Sequence, residues 1–315
     1  MSTWKIIITD GLSKKALPIL EEVAQVDDRG GIGAEELAQV IGEYDAAIVR
    51  GRTKMRANIL EAADKLKVIG RAGVGVDNID LSAAQQKGIT VVNAPTASTL
   101  AVAELTIGMM FAVARFIPRA DAGMKAGQWL KKQLKGTELN GKTLGVIGLG
   151  RIGTAVAERA AALGMQIVGY DAFDAAREAF AAKGFAVVDT LDALYPQVDY
   201  ITLHIPLTPQ TRNLLDGQAF GKMKPGVRLI CAARGGVIDE TALLGALESG
   251  QVAGAALDVF AEEPPGLTAL VSHPNVVATP HIGAQTKEAQ DRAAVDIATE
   301  VVAALKGEPL RWKVI

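Results

Sequence analysis

The sequence predicts an α/β fold of two doubly wound parallel-sheet domains, the second inserted into the first. Short β-branched runs alternate with Ala/Leu/Glu-rich stretches of helical period almost throughout, the pattern of parallel βα units. At 315 residues the chain is long for one core, so two domains are expected. A last amphipathic helical stretch, residues 286–305, outlasts the second βα series and is expected to cross back onto the first domain.

In the first third, strands are expected at residues 5–9, 46–49, 67–69 and 90–92, with helices over 13–23, 35–41 and 58–63 between them. Residues 96–114 follow as a long apolar helix carrying Leu100, Ala103, Leu105, Ile107, Met109, Met110 and Val113, long enough to bridge two domains. The Lys-rich stretch 115–140 ends in Leu139-Asn140-Gly141-Lys142-Thr143, a loop leading into a strand. Strands of the second series are expected at 144–147, 166–170, 200–203, 227–231 and 253–257, with a shorter one at 276–278. No internal repeat beyond the βα alternation and no low-complexity tract is present.

Composition narrows the class of protein. Hydrophobic residues make up 49%, enough for a sizeable interior, yet the apolar runs fall short of the roughly 18 residues a membrane span needs. The start, MSTWKIIITD, lacks the basic-then-apolar pattern of an export leader. Cys231 is the one cysteine, which excludes an intramolecular disulfide framework and suits a reducing compartment. Net charge is −2 with no strongly one-signed region, which argues against nucleic acid or membrane as the main partner. A cytoplasmic protein without a metal site is expected.

Thr143-Leu-Gly-Val-Ile-Gly148-Leu-Gly150-Arg-Ile-Gly153 reads as strand, tight turn and helix. Gly148 allows the turn, Gly150 lets backbone amides approach a pyrophosphate, and Gly153 permits close helix–strand packing. The helix beginning near Arg151 offers unpaired N–H groups and a positive dipole end to phosphates. The next strand ends in Asp171, at the spacing expected of a carboxylate that accepts from ribose hydroxyls. Such a carboxylate repels a 2′-phosphate and favours NAD over NADP.

Further titratable residues fall beyond strand ends, where open α/β sheets bind ligands. They lie in Cys231-Ala-Ala-Arg234-Gly-Gly, in Ala256-Leu-Asp258-Val-Phe-Ala-Glu262-Glu263-Pro264-Pro265, and in Ala278-Thr-Pro280-His281-Ile-Gly283. Removing a hydride from a carbinol carbon needs a base for the hydroxyl proton, and imidazole suits neutral pH. A neighbouring carboxylate orients it and favours the protonated form that the reverse reaction needs. A guanidinium can grip a substrate carboxylate and polarise the carbonyl oxygen. His281, Glu263 and Arg234 could fill these roles; singly, each could equally be a loop histidine, a surface acid or a structural ion-pair partner. His204, at a strand end, is read as lining a cofactor cleft, and His273, before Pro274, as solvated.

The motifs together resemble the D-isomer-specific 2-hydroxyacid dehydrogenases, closest to the branch that oxidises 3-phosphoglycerate. The likeness covers nearly the whole chain, through Arg71-Ala-Gly73-Val-Gly75-Val-Asp77-Asn78-Ile-Asp80, Gly141-Lys-Thr-Leu-Gly-Val-Ile-Gly148, Ala233-Arg-Gly-Gly-Val-Ile-Asp239-Glu, Ala255-Ala-Leu-Asp258-Val-Phe and Pro280-His-Ile-Gly. The resemblance implies a Rossmann NAD-binding domain over 98–286, including linker helix and dimerisation arm. That domain would be inserted in a flavodoxin-like substrate domain of residues 1–97 and 287–315, with the active site between the two and hinge closure over substrate. It implies Arg234, Glu263 and His281 as catalytic trio, with Glu263 rather than Glu262 paired to the histidine. Cofactor contacts carry over to Gly148, Gly150, Arg151, Ile152 and Gly153 at the pyrophosphate and Asp171 at the ribose. His204 and Ile205 follow along the cleft, with Ala232, Asp258, His281 and Gly283 toward the nicotinamide. Backbone N–H groups of the loop 71–75, through Arg71, Ala72, Gly73 and Val74, would bind the substrate carboxylate beside Arg234 and His281.

Arg50-Gly51-Arg52-Thr53 resembles the stretch in which the phosphoglycerate branch meets the substrate phosphate. Two guanidiniums at i and i+2 suit a dianion, the alternative being a solvated strand end. The chain departs from that branch at Pro95-Thr-Ala97-Ser98, at Cys231 and in the ending Arg311-Trp312-Lys313. It also stops where longer members add a regulatory domain, so serine feedback is not expected of it. Residues 125–135, with Trp129, Lys131, Lys132 and Lys135, fall in the family's dimer arm, and a homodimer or dimer of dimers is expected. Two other readings are a dehydrogenase for sulfolactate, glycerate/hydroxypyruvate or glyoxylate, and an NADH-sensing binding protein of corepressor type.

Overall fold

The computed structural model describes residues 4–315; residues 1–3, where the segment read for an export leader begins, lie outside the described residues. Two units separate by their internal contacts. One comprises the described residues up to Thr99 with Ala284–Ile315, the other Leu100–Gly283.

The first unit runs β1 (Trp4–Ile8), α1 (Leu17–Glu21), β2 (Ala24–Asp28), α2 (Ala34–Val40), β3 (Ala46–Val49), α3 (Ala57–Glu61), β4 (Val68–Arg71), α4 (Leu81–Gln86) and β5 (Thr90–Asn93). Its strands pair in parallel in the order β2-β1-β3-β4-β5, the flavodoxin-like order. Such strands are buried on both faces, and their side chains divide with period two. Ile7, Ala47, Val49, Ile69 and Val91 join the core on one side. Ile6, Ile8, Ala46, Ile48, Val68 and Val92 join the other, which is closed by Ile297, Ala298 and Val301 of the final helix. Each fully buried isoleucine contributes roughly 1.5–3 kcal/mol.

The second unit opens on α5 (Thr99–Arg115), whose first residue belongs to the other unit, and continues α6 (Ile117–Lys125), β6 (Thr143–Ile147), α7 (Arg151–Ala162), β7 (Gln166–Tyr170), α8 (Asp174–Ala181) and β8 (Ala186–Val187). After α9 (Leu191–Leu194) come β9 (Tyr200–Leu203), α10 (Gly217–Lys222), β10 (Val227–Cys231), α11 (Glu240–Glu248), β11 (Val252–Leu257) and β12 (Val276–Ala278); α12 (Lys287–Lys306) returns to the first unit. The parallel order β12-β11-β10-β9-β6-β7-β8 is the doubly wound dinucleotide-binding order extended by one strand. The order reverses between β6 and β9, the place at which doubly wound sheets bind their ligands.

Several elements differ from the sequence reading. The helix expected over 13–23 is a 3-10 turn plus the short α1, and β2 follows at once. β2 is an edge strand with only Ala24 buried; Gln25 and Asp28 are exposed and Asp27 half-buried, and these polar residues mask its period. The Lys-rich stretch contains α6, bent by 66° from α5 at Phe116, whose φ is +54°. No single helix among the described residues is long and apolar enough to cross a membrane. The final segment pairs antiparallel with β5, the Val314 N–H donating to Val91 O and the Asn93 N–H to Trp312 O. Buried Glu300 secures this segment by accepting from Arg311 N, Arg311 Nε and Trp312 N. That pairing covers an otherwise open sheet edge.

Candidate active site

The glycine turn sits at the switch point. Gly148 follows β6 with φ +95°, and a Cβ there would lie 2.5 Å from His204 O, beyond the end of β9. A Cβ on Gly153 would stand 2.0 Å from Gly148 O, so only glycine lets α7 approach the turn this closely. Gly150 caps α7 without a side-chain hydrogen bond, leaving the first amides at Arg151 and Ile152 for an anion. Asp171, after β7, accepts from Leu149 N at 2.8 Å and Phe173 N at 3.0 Å and so braces the turn from the side of the adenosine ribose. A side-chain-free cradle, an uncapped helix of twelve residues and a carboxylate beyond the second strand fit an NAD pyrophosphate and ribose.

His204 is half-buried, with Nε2 2.9 Å from Thr202 Oγ1 and with Nδ1 sealed from solvent and lacking a hydrogen-bond partner. Burial pushes the imidazole down to about 3. Neutral at physiological pH, it suits a cleft wall and not a proton donor. Ile205 beside it is half-buried.

Arg234, Glu263 and His281 follow β10, β11 and β12, three adjacent strands, at their carboxyl ends. His281 Nδ1 lies 2.7 Å from Glu263 Oε2, while Glu263 Oε1 accepts from Phe260 N at 3.1 Å. The second carboxylate oxygen thus fixes the acid to its own loop. This geometry selects Glu263 over Glu262, and pairing at Nδ1 leaves Nε2 of the ring for a substrate proton. Gly235 presses on the same loop, because a Cβ there would stand 1.7 Å from Phe260 O. The Arg234 turn and the Glu263 loop are therefore packed backbone to backbone. Arg234 itself donates from Nη1 to Ala233 O.

His281 has φ +53°, a conformation that non-glycine residues avoid. The cause lies in Asp258, whose side chain is the buried anchor of the loop. Its Oδ1 accepts from Thr279 Oγ1 at 2.6 Å and Ile282 N at 2.8 Å, and its Oδ2 from Gly283 N at 2.8 Å. With both flanks of His281 tied to one carboxylate, the strained residue between them is held in place. The sequence reading set Asp258 and Gly283 at the cofactor; Gly283 is buried and its N–H is already committed to Asp258. Ala232 is half-buried beyond β10. Glu240 adds a further brace, accepting from Ala261 N at 2.6 Å. His273, expected to be solvated, is half-buried and accepts from Asn275 N.

In the first unit the expected substrate contacts are only partly free. Arg52 donates from Nη1 to Ile32 O at 3.1 Å and from Nη2 to Thr9 O at 2.8 Å, and Nη2 lies 3.2 Å from Asp10 Oδ1. These contacts tie part of its fork to its own unit, while the side chain remains 52% exposed. Arg50 makes one long contact, Nη2 to Gln285 Oε1 at 3.4 Å. In the loop 71–75 the Ala72 N–H donates to Val49 O and the Gly73 N–H to Arg71 O. The amides open to a carboxylate are thereby narrowed to those that follow, at Val74 and Gly75. Asp10, Thr53 and Asn78, which hold Arg50 and its loop, were missed from the sequence; Asp10 carried a signal, an acid directly beyond the carboxyl end of β1.

A concavity of about 360 Å³ lined by Phe116, Arg119, Gly254, His273 and Asn275 lies elsewhere in the second unit, and none of the catalytic candidates borders it. Among the described residues no group of three or more His, Cys, Asp and Glu could hold a metal.

The family described as D-isomer specific 2-hydroxyacid dehydrogenase, NAD binding domain, matches residues 107–283. D-3-phosphoglycerate dehydrogenase of Methanocaldococcus jannaschii is 51% identical over 304 residues, 96% of this chain and 58% of that protein. The enzyme of that name from Rattus norvegicus is 50% identical over 308 residues, covering 97% and 57%. The chain thus spans somewhat more than half the length of these curated relatives. Among solved structures, a glyoxylate reductase from Paecilomyes thermophila superposes with TM-score 0.90 at 31% identity, covering 100% of this chain and 99% of that one. Glycine cradle, ribose-side carboxylate, histidine–glutamate pair and this likeness agree, and the chain belongs to the D-isomer specific 2-hydroxyacid dehydrogenases, its second unit being their NAD-binding domain.

Proposed function

We propose that this chain carries the catalytic machinery of an NAD-dependent D-2-hydroxyacid dehydrogenase that converts 3-phospho-D-glycerate to 3-phosphohydroxypyruvate, the oxidation that commits carbon to serine. The observation that carries this reading is the His281–Glu263 pair at 2.7 Å, beyond the carboxyl ends of the strands of an NAD-binding domain. Bound NAD supplies the hydride acceptor. His281 takes the substrate hydroxyl proton on Nε2 and returns it in the reverse direction, while Glu263 holds the ring through Nδ1. Arg234 grips the substrate carboxylate and polarises the oxygen at C2. The amides of Val74 and Gly75 add donors for that carboxylate, and Arg50 takes the phosphate.

The contacts of Arg52 with Thr9 O, Ile32 O and Asp10 leave Arg50 as the less engaged guanidinium for the tail, and that observation favours a second reading, oxidation or reduction of another small anionic acid such as sulfolactate, glycerate or glyoxylate. A rate assay with 3-phospho-D-glycerate, D-glycerate, D-lactate and sulfolactate, each with NAD and with NADP, separates them. Preference for 3-phospho-D-glycerate with NAD supports the first reading, and turnover of the other acids alone refutes it. Absence of turnover with every acid would return the chain to the NADH-sensing class.

A cytoplasmic homodimer belongs to the same proposal. Trp129, Met124 and Ile117 are 77%, 59% and 51% exposed on α6 and the arm after it, an apolar surface that a second copy would cover. Sedimentation of the purified protein as a monomer would remove that part.

A further inference from the structure

The loop Arg50–Thr53 is held by two buried side chains that take its ends in opposite senses. Asp10, with 4% of its side chain exposed, accepts from Arg50 N at 2.7 Å and from Thr53 N at 3.1 Å, both at Oδ2. Its Oδ1 accepts from Thr53 Oγ1 and faces Arg52 Nη2 at 3.2 Å. From the other side Asn78, 9% exposed, donates from Nδ2 to Arg50 O at 2.9 Å and to Thr53 O at 2.7 Å. The N–H groups of residues 50 and 53 therefore go to one carboxylate and their carbonyls to one amide. Asp10 follows β1 and Arg50 follows β3, neighbouring strands, so the clamp stands at the carboxyl end of the sheet.

A solvated strand end has no need of such a device. Each buried group has its partner, so the loop is fixed and little freedom remains for binding to remove. The clamp is asymmetric in its use of the two arginines. Arg52, its side chain 52% exposed, donates to Thr9 O and Ile32 O and supplies the charge that pairs with Asp10. Arg50 has its backbone locked at both N and O while its guanidinium reaches Gln285 at 3.4 Å.

We propose that Asp10 and Asn78, with Thr53 and Arg52, form a positioning clamp whose task is to present Arg50 to the anionic tail of the substrate, so that tail specificity rests on a preorganised guanidinium at Arg50. This rests on the phosphate-directed reading above. Asp10 and Asn78 act through Arg50 and touch no substrate.

The test compares 3-phospho-D-glycerate with D-glycerate, which share the reacting end and differ in the tail. Asp10→Asn keeps the size of the side chain but turns an NH2 toward backbone donors and discharges the pair with Arg52. It should raise KM for 3-phospho-D-glycerate about tenfold with kcat little changed, because a displaced guanidinium weakens binding before it weakens chemistry. KM for D-glycerate and the NADH dissociation constant should stay within about twofold. Thr53→Val, which removes only the hydroxyl bond to Asp10, should shift the same KM in the same direction by less. Arg52→Gln should cost less discrimination between the two acids than Arg50→Gln.

An unchanged ratio of the two KM values in a folded Asp10→Asn protein overturns the proposal. If that variant fails to fold, Thr53→Val decides, and wild-type KM values for both acids overturn it. Equal loss from Arg52→Gln and Arg50→Gln overturns the assignment of Arg52 to the clamp. A wild-type enzyme that turns over both acids without preference refutes the phosphate reading itself, a result visible before any variant is made.

Discussion

Asp258→Asn probes how the fold holds its strained histidine. The wild-type carboxylate is 1% exposed and accepts three hydrogen bonds from the loop that carries His281, at 2.6, 2.8 and 2.8 Å. Bonds to a buried charge are worth about 1.5–3 kcal/mol each. Asparagine retains one oxygen, enough for the bonds from Thr279 and Ile282, but sets its NH2 against the Gly283 N–H, donor facing donor. The lost bond and the unsatisfied amide together cost about 2–3 kcal/mol. At 1.4 kcal/mol per decade the loop is then in place about 30- to 150-fold less often relative to its displaced forms. On the proposed mechanism turnover needs His281 in place, so kcat should fall by up to that factor. The melting temperature should drop by about 4–12 °C, from the 2–4 °C per kcal/mol expected of a unit this size. Steady-state kinetics with 3-phospho-D-glycerate at saturating NAD, beside calorimetric melting and NADH titration, reads all three quantities. A folded variant with kcat within about threefold of wild type would show that Asp258 does not position His281.

Three further outcomes are expected. His281→Asn should lower kcat about a hundredfold or more without a matching loss of NADH affinity, and unchanged turnover removes it as acid and base. Gly153→Ala forces a Cβ to within 2.0 Å of Gly148 O, a backbone atom that no rotamer change can move, so NADH affinity by calorimetry should fall at least tenfold, by about 1.4 kcal/mol; wild-type affinity would mean the turn is not the pyrophosphate cradle. His204, lowered by burial to about 3 from an unfolded value near 6.5, is a base whose neutral form the fold prefers. The unfolded chain therefore binds its proton first on acidification, and stability is lost as pH falls from about 6.5 toward 3, at no more than about 1.4 kcal/mol per pH unit. His204→Gln should flatten the melting-temperature profile in that window, and a slope identical to wild type would refute the burial argument.

Much of the site could be read along the chain because its chemistry is local. A glycine turn needs its residues consecutive, so Gly148, Gly150 and Gly153 declare themselves, as does the carboxylate one strand later at Asp171. The residues that failed to declare themselves act across sequence distance. Asp10 meets Arg50 and Thr53 some forty positions on, and Asn78 returns from twenty-five or more positions away to the same loop. Edge strand β2 escaped notice for a related reason, since a strand half in water has no clear apolar period.

Sequence alone determined the α/β class, the dinucleotide turn and the identity of the titratable residues beyond the strand ends, because period, turn chemistry and side-chain type are properties of neighbours in the chain. Tertiary structure alone decided that Asp258 saddles the His281 loop, and that the Arg52 guanidinium meets Thr9 O, Ile32 O and Asp10 while that of Arg50 meets only Gln285. Those outcomes depend on which strand ends the sheet order brings side by side and which polar groups are buried there. A buried donor or acceptor must find its partner wherever the fold has put one, however far apart the two lie in the chain.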